Sequence, residues 1–317
     1  MDCFFPFYLR GNHPTNITIS SHNQTSINGE KDIIPFTAIT ITYLFSTIAN
    51  FSLIFGLKKT NTKLTISQKL YIYLSFTDAF FSLIMFVMVL LEFLPAIAPA
   101  SCTVTSLGTS LATYTCGLSL GTFLSISYLR NQAIRKPFNS VIHKAVYLTL
   151  AGWNVITLAT SILVFFAYEP TQISKTLYAF SWTFIGTLIT VMVILVVFLN
   201  GWSKNTLSRQ SRVFDSQNEI EIRRRKLNKT AVAILNIISF IYVLCVLPLG
   251  IYYVIIGVLT WIHEDDLLLP ILHISRIMNL PLFPCSGLNS LAYMLKDKAI
   301  RKFYKRWLCC KGKEYSP

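Results

Sequence analysis

Apolar stretches recur along this chain at a length that only a lipid bilayer demands. A helix rises 1.5 Å per residue, so about 20 apolar residues are needed to cross a hydrocarbon core roughly 30 Å thick. Seven segments qualify: 33–57, 70–94, 102–129, 145–167, 177–199, 230–259 and 267–294. The seventh is the weakest, because it holds His273, Arg276, Pro270, Pro281 and Pro284. Seven such segments leave almost no polar helix faces to coat them, so they are not core helices of a soluble protein. Composition agrees. Of the 317 residues 53% are hydrophobic and only 13% charged, against about 25% charged in an ordinary soluble domain. Soluble enzymes are disfavoured, and disorder is excluded by the hydrophobicity. A disulfide-stapled mini-protein is excluded because 7 Cys are spread over the whole length.

The net charge of +14 has to be read by position. Lys58, Lys59, Lys63 and Lys69 lie in the first connection, and Arg130, Arg135, Lys136 and Lys144 in the third. A larger group from Lys204 to Lys229 lies in the fifth, and another from Lys296 to Lys313 follows the last span. Together they place 24 of the 28 Lys and Arg on one side. The positive-inside rule makes that side cytoplasmic, with the N-terminus outside and the C-terminus inside. A nucleic-acid-binding patch would not follow alternate loops, so no nucleic-acid partner is expected. The expected organisation is an outer tail over 1–32, a bundle over 33–294, an amphipathic interfacial helix over 295–308 and a cytoplasmic tail over 309–317. The outer tail carries two glycosylation sequons, at Asn16 and Asn23. The start of the chain has no basic n-region or long apolar h-region, so the first span is expected to serve as its own signal anchor. No internal repeat of the transporter kind is present in the sequence.

Ionisable groups inside membranes are costly and mark function by default. Asp78 stands mid-span in the second segment. Asn50 stands mid-span in the first, Ser119 in the third, and Asn289 low in the seventh. A carboxylate with neutral oxygens would suit a small hard cation; a structural, hydrogen-bonded carboxyl is the alternative. Ser119 and Arg130 are 11 residues apart, almost three helical turns, so they share a face with Ala112, Cys116, Phe123 and Ile126. No nucleophile–base pair or metal-ligand spacing occurs, so catalysis is not expected.

These landmarks follow a known order. Asn50 is followed by Leu74-Ser75-Phe76-Thr77-Asp78, then by Leu129-Arg130-Asn131 with Pro137 seven residues after the arginine. Trp153, Cys245-Val246-Leu247-Pro248 and Asn289-Ser290-Leu291-Ala292-Tyr293 complete the series. The chain thus resembles, over nearly its whole length, the rhodopsin-like (class A) G protein-coupled receptors. The resemblance implies a seven-transmembrane all-α bundle in the plasma membrane, an extracellular ligand and a heterotrimeric G protein partner. It implies a switch built on Leu129, Arg130, Asn131, Pro248 and Tyr293, with helix six swinging about Pro248. It also implies sodium held by Asp78, Ser119 and Asn289 near Asn50, with no other cofactor. By position, Ala112, Thr113, Cys116, Tyr252, Tyr253, Arg276 and Asn279 would line the ligand pocket. Ala112 stands where aminergic receptors have aspartate, which disfavours a biogenic amine. A cationic peptide or a small chemosensory ligand both fit the acidic outer mouth. After Tyr293, an apolar stripe through Leu295, Ala299, Phe303 and Trp307, flanked by Ile300, Tyr304 and Leu308, resembles the family's eighth helix. It would lie against membrane lipids, with Cys309 and Cys310 as palmitoylation sites.

The departures are specific. Leu129 and Asn131 replace the residues that usually flank the arginine, Val246 replaces a tryptophan and Ser290 a proline. Residues 168–176 contain no cysteine, so the family's usual disulfide cannot form. A Cys3–Cys102 bridge or two free thiols are the alternatives. A non-coupling decoy or scaffold receptor, and a transporter using Asp78 and Arg276, remain the rival functions.

Overall fold

The computed structural model describes residues 29–60, 64–93, 102–135, 141–167, 173–213, 219–262, 271 and 282–308. Among these, nine helices follow one another: α1 (Gly29–Thr60), α2 (Ile66–Phe93), α3 (Cys102–Arg135), α4 (Val141–Ala167), α5 (Ile173–Val213), α6 (Glu219–Cys245), α7 (Leu247–Ile262), α8 (Leu282–Lys296) and α9 (Lys298–Leu308). Five stretches are long and apolar enough to cross a membrane: Thr37–Thr60, Ile66–Leu91, Lys144–Ala167, Thr176–Arg209 and Asn228–Ile262. They correspond to the first, second, fourth, fifth and sixth expected spans. The third expected span, α3, has the length (34 residues) but is interrupted throughout by serine, threonine and glycine. Of the seventh, residues 282–294 lie in α8 (Leu282–Lys296).

Burial is the reverse of a soluble protein's. Large apolar side chains such as Ile48, Leu148, Val155, Phe198 and Phe240 are exposed, whereas Asn50, Asp78, Ser119, Asn289 and Ser290 are buried. In a bilayer the outer surface meets lipid, and polar groups must find partners inside.

Small residues set how closely the helices approach. α3 lies between α2, α4 and α5. The Trp153 indole donates to Gly117 O at 2.6 Å. Its ring fills the space beside Gly121, where a Cβ would come within 1.6 Å of it. Ser106 donates to Phe165 O at 2.9 Å and Ser161 to Ser110 O at 2.7 Å, so α3 and α4 are joined at three heights. α5 and α7 meet backbone to backbone. A Cβ on Gly186 would lie 2.5 Å from Gly250 O, and one on Gly257 2.5 Å from Thr183 N.

Local signals fix the ends. Thr65 and Gln68 exchange hydrogen bonds at the start of α2 (Thr65 N to Gln68 Oε1 2.9 Å, Gln68 N to Thr65 Oγ1 3.3 Å), a capping box. Asp297 interrupts the chain between α8 and α9, and its carboxylate caps α9 by accepting from Ala299 N at 2.9 Å and Ile300 N at 3.1 Å. The amphipathic helix therefore starts at Lys298, and residues 295–296 continue α8. Its inward edge is also shifted. Ile300 is fully buried and Tyr304 donates to Ser52 O, whereas Leu295 is exposed. Phe303 packs on Phe55 with ring centroids 5.8 Å apart. Tyr304 fits against Gly56, and burial pushes its hydroxyl above the usual phenol range while the Ser52 bond works against that rise.

Candidate functional site

Five helices contribute to one buried polar centre. Asp78, on α2, accepts from Ser119 Oγ of α3 at 2.5 Å and from Asn289 Nδ2 of α8 at 3.5 Å. Tyr242, on α6, joins both: its hydroxyl is 3.2 Å from Ser119 Oγ and accepts from Asn289 Nδ2 at 3.3 Å. From α1, Asn50 Nδ2 donates to Ser286 Oγ at 3.0 Å, and Ser286 donates to Asp78 O at 3.2 Å. Ser290 donates to Asn50 Oδ1 and shares a hydrogen bond with Ser75 at 3.3 Å. Ser82 shares one with Ser286 at 3.2 Å. The expected quartet of Asp78, Ser119, Asn289 and Asn50 is thus brought together. Tyr242, Ser82, Ser286 and Ser290 are members that the sequence reading did not assign to it.

Among the described residues, only neutral side chains hydrogen-bond the Asp78 carboxyl. A cavity of about 20 Å³ opens beside the centre, bordered by Ser119, Tyr242, Val246, Ser286 and Asn289 together with the Cys116 and Cys285 side chains. That space holds about one water or one small ion. Asn289 Oδ1 is buried without a hydrogen-bond partner. The Asp78 carboxyl does not border this void, whose walls are mostly apolar and include Phe81, Leu120 and Val246. No group of three or more His, Cys, Asp or Glu side chains able to hold a metal ion occurs among the described residues.

The helical run breaks one turn along from Tyr242. Val246 separates α6 from α7, with Val246 N donating to Tyr242 O at 2.8 Å and Gly250 N to Val246 O at 3.0 Å. Pro248 has no N–H to continue the ladder, so the rod is weakest here.

At the C-terminal end of α3, Leu129 is buried in the apolar core and Arg130 Nε is buried with no hydrogen-bond partner. The guanidinium lies within electrostatic reach of Tyr71 and Tyr293, whose rings pack at 4.2 Å. Asn131 donates to Ser203 Oγ at 3.1 Å, and Asn200 donates to Ser239 Oγ at 2.5 Å. These pairs tie α3 to α5 and α5 to α6. Sequence reasoning missed them, because an asparagine and a serine on separate helices give no pairing signal.

The residues expected to line the ligand pocket fall in several environments. Ala112 and Tyr252 are buried, and Tyr252 donates to Ile271 O at 3.1 Å. Thr113 is half-buried and bonds its own helix at Thr109 O, 2.9 Å away. Tyr253 packs on Trp182 with centroids 4.5 Å apart. Cys116 borders the Asp78 cavity. Cys3, Asn16, Asn23, Arg276, Asn279, Cys309 and Cys310 lie outside the described residues, as does the side chain of Cys102. No protein-family model matches this chain, and no curated protein matches it.

Proposed function

We propose that the chain is a seven-helix receptor of the rhodopsin-like kind, which passes an extracellular ligand's signal to a heterotrimeric G protein. In this reading α3 is the third span despite its hydroxyl content, and α8 is the inner end of the seventh. The supporting observation is the buried centre that joins α1, α2, α3, α6 and α8 directly below the break at Val246. A transducer needs a bundle with two packings of similar energy, and an agonist acts only through different affinities for the two. Polar groups shared among five helices, beside a proline hinge, supply such a bistable element. Asp78, Ser119 and Asn289 would hold sodium, which supplies the positive charge a buried carboxylate otherwise lacks. The test is nucleotide exchange on a panel of purified G proteins by the reconstituted chain. Acceleration on at least one supports the reading; none, under a broad ligand screen, leaves the decoy.

The decoy or scaffold reading has one observation in its favour. Asn131, next to the arginine, is engaged with Ser203 and Leu199 O rather than open to a partner. The same exchange assay separates the two readings, and vesicle flux measurements test the transporter.

A further inference from the structure

Where α3 ends, Ile134 is buried in an apolar cluster with Leu207 of α5 and Val232 of α6. Asn131, just before it, donates to Ser203 Oγ of α5 at 3.1 Å. The two helices are held together at this level, so Arg135, the next residue of α3, is exposed at a defined place. Its guanidinium carbon lies over the Trp202 ring, 4.7 Å from the centroid. A guanidinium resting on an aromatic face keeps N–H donors for a further partner, and its planar fork matches a phosphate.

Trp202 is itself 42% exposed. It stands where the apolar run of α5 gives way to the polar sequence Ser203-Lys204-Asn205-Thr206. Leu195 and Phe198 precede it on the same face, and Arg209 follows it nearly two turns later. All of these side chains are exposed. The Phe198 ring packs edge-on against Trp202 with centroids 5.6 Å apart. One face of α5 thus passes from apolar to indole to cation. A phospholipid presents acyl chain, ester layer and phosphate in the same order, and tryptophan favours the middle layer. The helices at this seam, α3, α4 and α5, contain no Asp or Glu, so they bring no carboxylate to neutralise the two arginines.

We propose that Arg135, Trp202 and Arg209 form a binding site for an anionic phospholipid at the α3–α5 seam. Its acyl chain lies along Leu195 and Phe198, Trp202 meets the glycerol ester layer, and the arginines hold the phosphate. The proposal requires that α5 cross a bilayer, and it stands whether or not the chain couples to a G protein. A soluble phosphate ester carries the same charge, but it could use only the arginines and not the apolar stripe beside them. A lipid seated there touches α3 and α5 together and favours the packing in which Arg135 rests on Trp202.

The experiment uses the full chain reconstituted in phosphatidylcholine bilayers. Part of the lipid is replaced by brominated phosphatidylglycerol or, in parallel, by brominated phosphatidylcholine. Bromine quenches tryptophan on contact, and subtracting the emission of the Trp202→Phe chain isolates Trp202. The unmodified chain should prefer phosphatidylglycerol by more than about fivefold, the contribution of one basic side chain at an anionic membrane surface. Arg135→Gln and Arg209→Gln should each lower that preference about fivefold and leave quenching by phosphatidylcholine unchanged. Lys204→Gln removes an equal charge from the opposite, exposed face of α5 and should leave the preference intact. A preference unchanged in either arginine variant overturns the proposal. So does an equal loss in Lys204→Gln, which would mean a diffuse field rather than a site. Soluble glycerol phosphate should not relieve the phosphatidylglycerol quenching; relief would mean that a free phosphate ester is the ligand. A Trp202 quenched by neither lipid would mean that protein covers this face, and the proposal would fall.

Discussion

Ser290 stands where the resembled family carries a proline, and its hydroxyl bridges Asn50 to Ser75 across three helices. Ser290→Ala leaves Asn50 Oδ1 buried without that donor, which costs about 1–3 kcal/mol when no water replaces it. The expected result is a lower melting temperature in detergent, whereas a melting curve equal to that of the unmodified chain would show the joint to be dispensable. Residues of this centre were legible in the sequence in proportion to their cost in lipid. Asp78 and the two asparagines stand out inside apolar runs. Ser82, Ser286 and Tyr242 do not, because a serine can satisfy itself on its own helix, as Ser82 does on Asp78 O at 2.9 Å, and a tyrosine reads as apolar bulk. Only the packing shows that these hydroxyls converge.

Helices behave alike in kind but not in tolerance. α5 and α7 approach at Gly257, where an added Cβ meets Thr183 N at 2.5 Å and Ala179 O at 2.8 Å. Both are backbone atoms, so neither can rotate away. Gly152, on α4, has open space at the same position. Gly257→Ala should therefore force the helices apart and destabilise the fold by about 1–3 kcal/mol, as overpacking does. Gly152→Ala should be neutral or stabilising by up to about 1 kcal/mol, because alanine is the better helix former. Unfolding of both variants in the same detergent checks the contrast, and equal losses would refute it. At this scale the sequence was informative about lengths and poor about breaks. α3 was expected as a span although its hydroxyls lower its hydropathy below that of the five clear stretches. Ser106 bonds across the α3–α4 contact and Ser119 bonds Asp78 inside the bundle, rather than meet lipid. The corner at Asp297 was not foreseen, because one aspartate inside a basic amphipathic run looks like another surface charge.

Across the whole molecule, the end of the bundle that carries Arg130 is held by neutral groups where the proposed switch would use an ion pair. Arg130 Nε has no hydrogen-bond partner, Leu129 is packed in the core, and position 228 at the base of helix six carries an asparagine. Beside the apolar contact of Ile134, Leu207 and Val232, α3, α5 and α6 are joined here by two amide–hydroxyl contacts, Asn131 to Ser203 and Asn200 to Ser239. Each such bond is worth about 1 kcal/mol net, against the 1–3 kcal/mol over which switches of this kind are coupled. On the proposed receptor reading, an inactive packing held this way is favoured only slightly, and a fraction of the molecules should signal without agonist. Leu129→Asp is a poor probe, because it buries a new charge in the apolar core. Asn228→Glu places an acid on a half-buried position of α6 instead, where it can offer Arg130 a partner. At matched surface expression, basal nucleotide exchange should fall several-fold in Asn228→Glu and rise in Ser239→Ala, which removes the α5–α6 contact. A chain silent without agonist and indifferent to both substitutions would mean that packing alone holds the bundle shut. If Ser239→Ala signals more while Asn228→Glu is unchanged, the neutral contacts are the latch and the arginine takes no part in it.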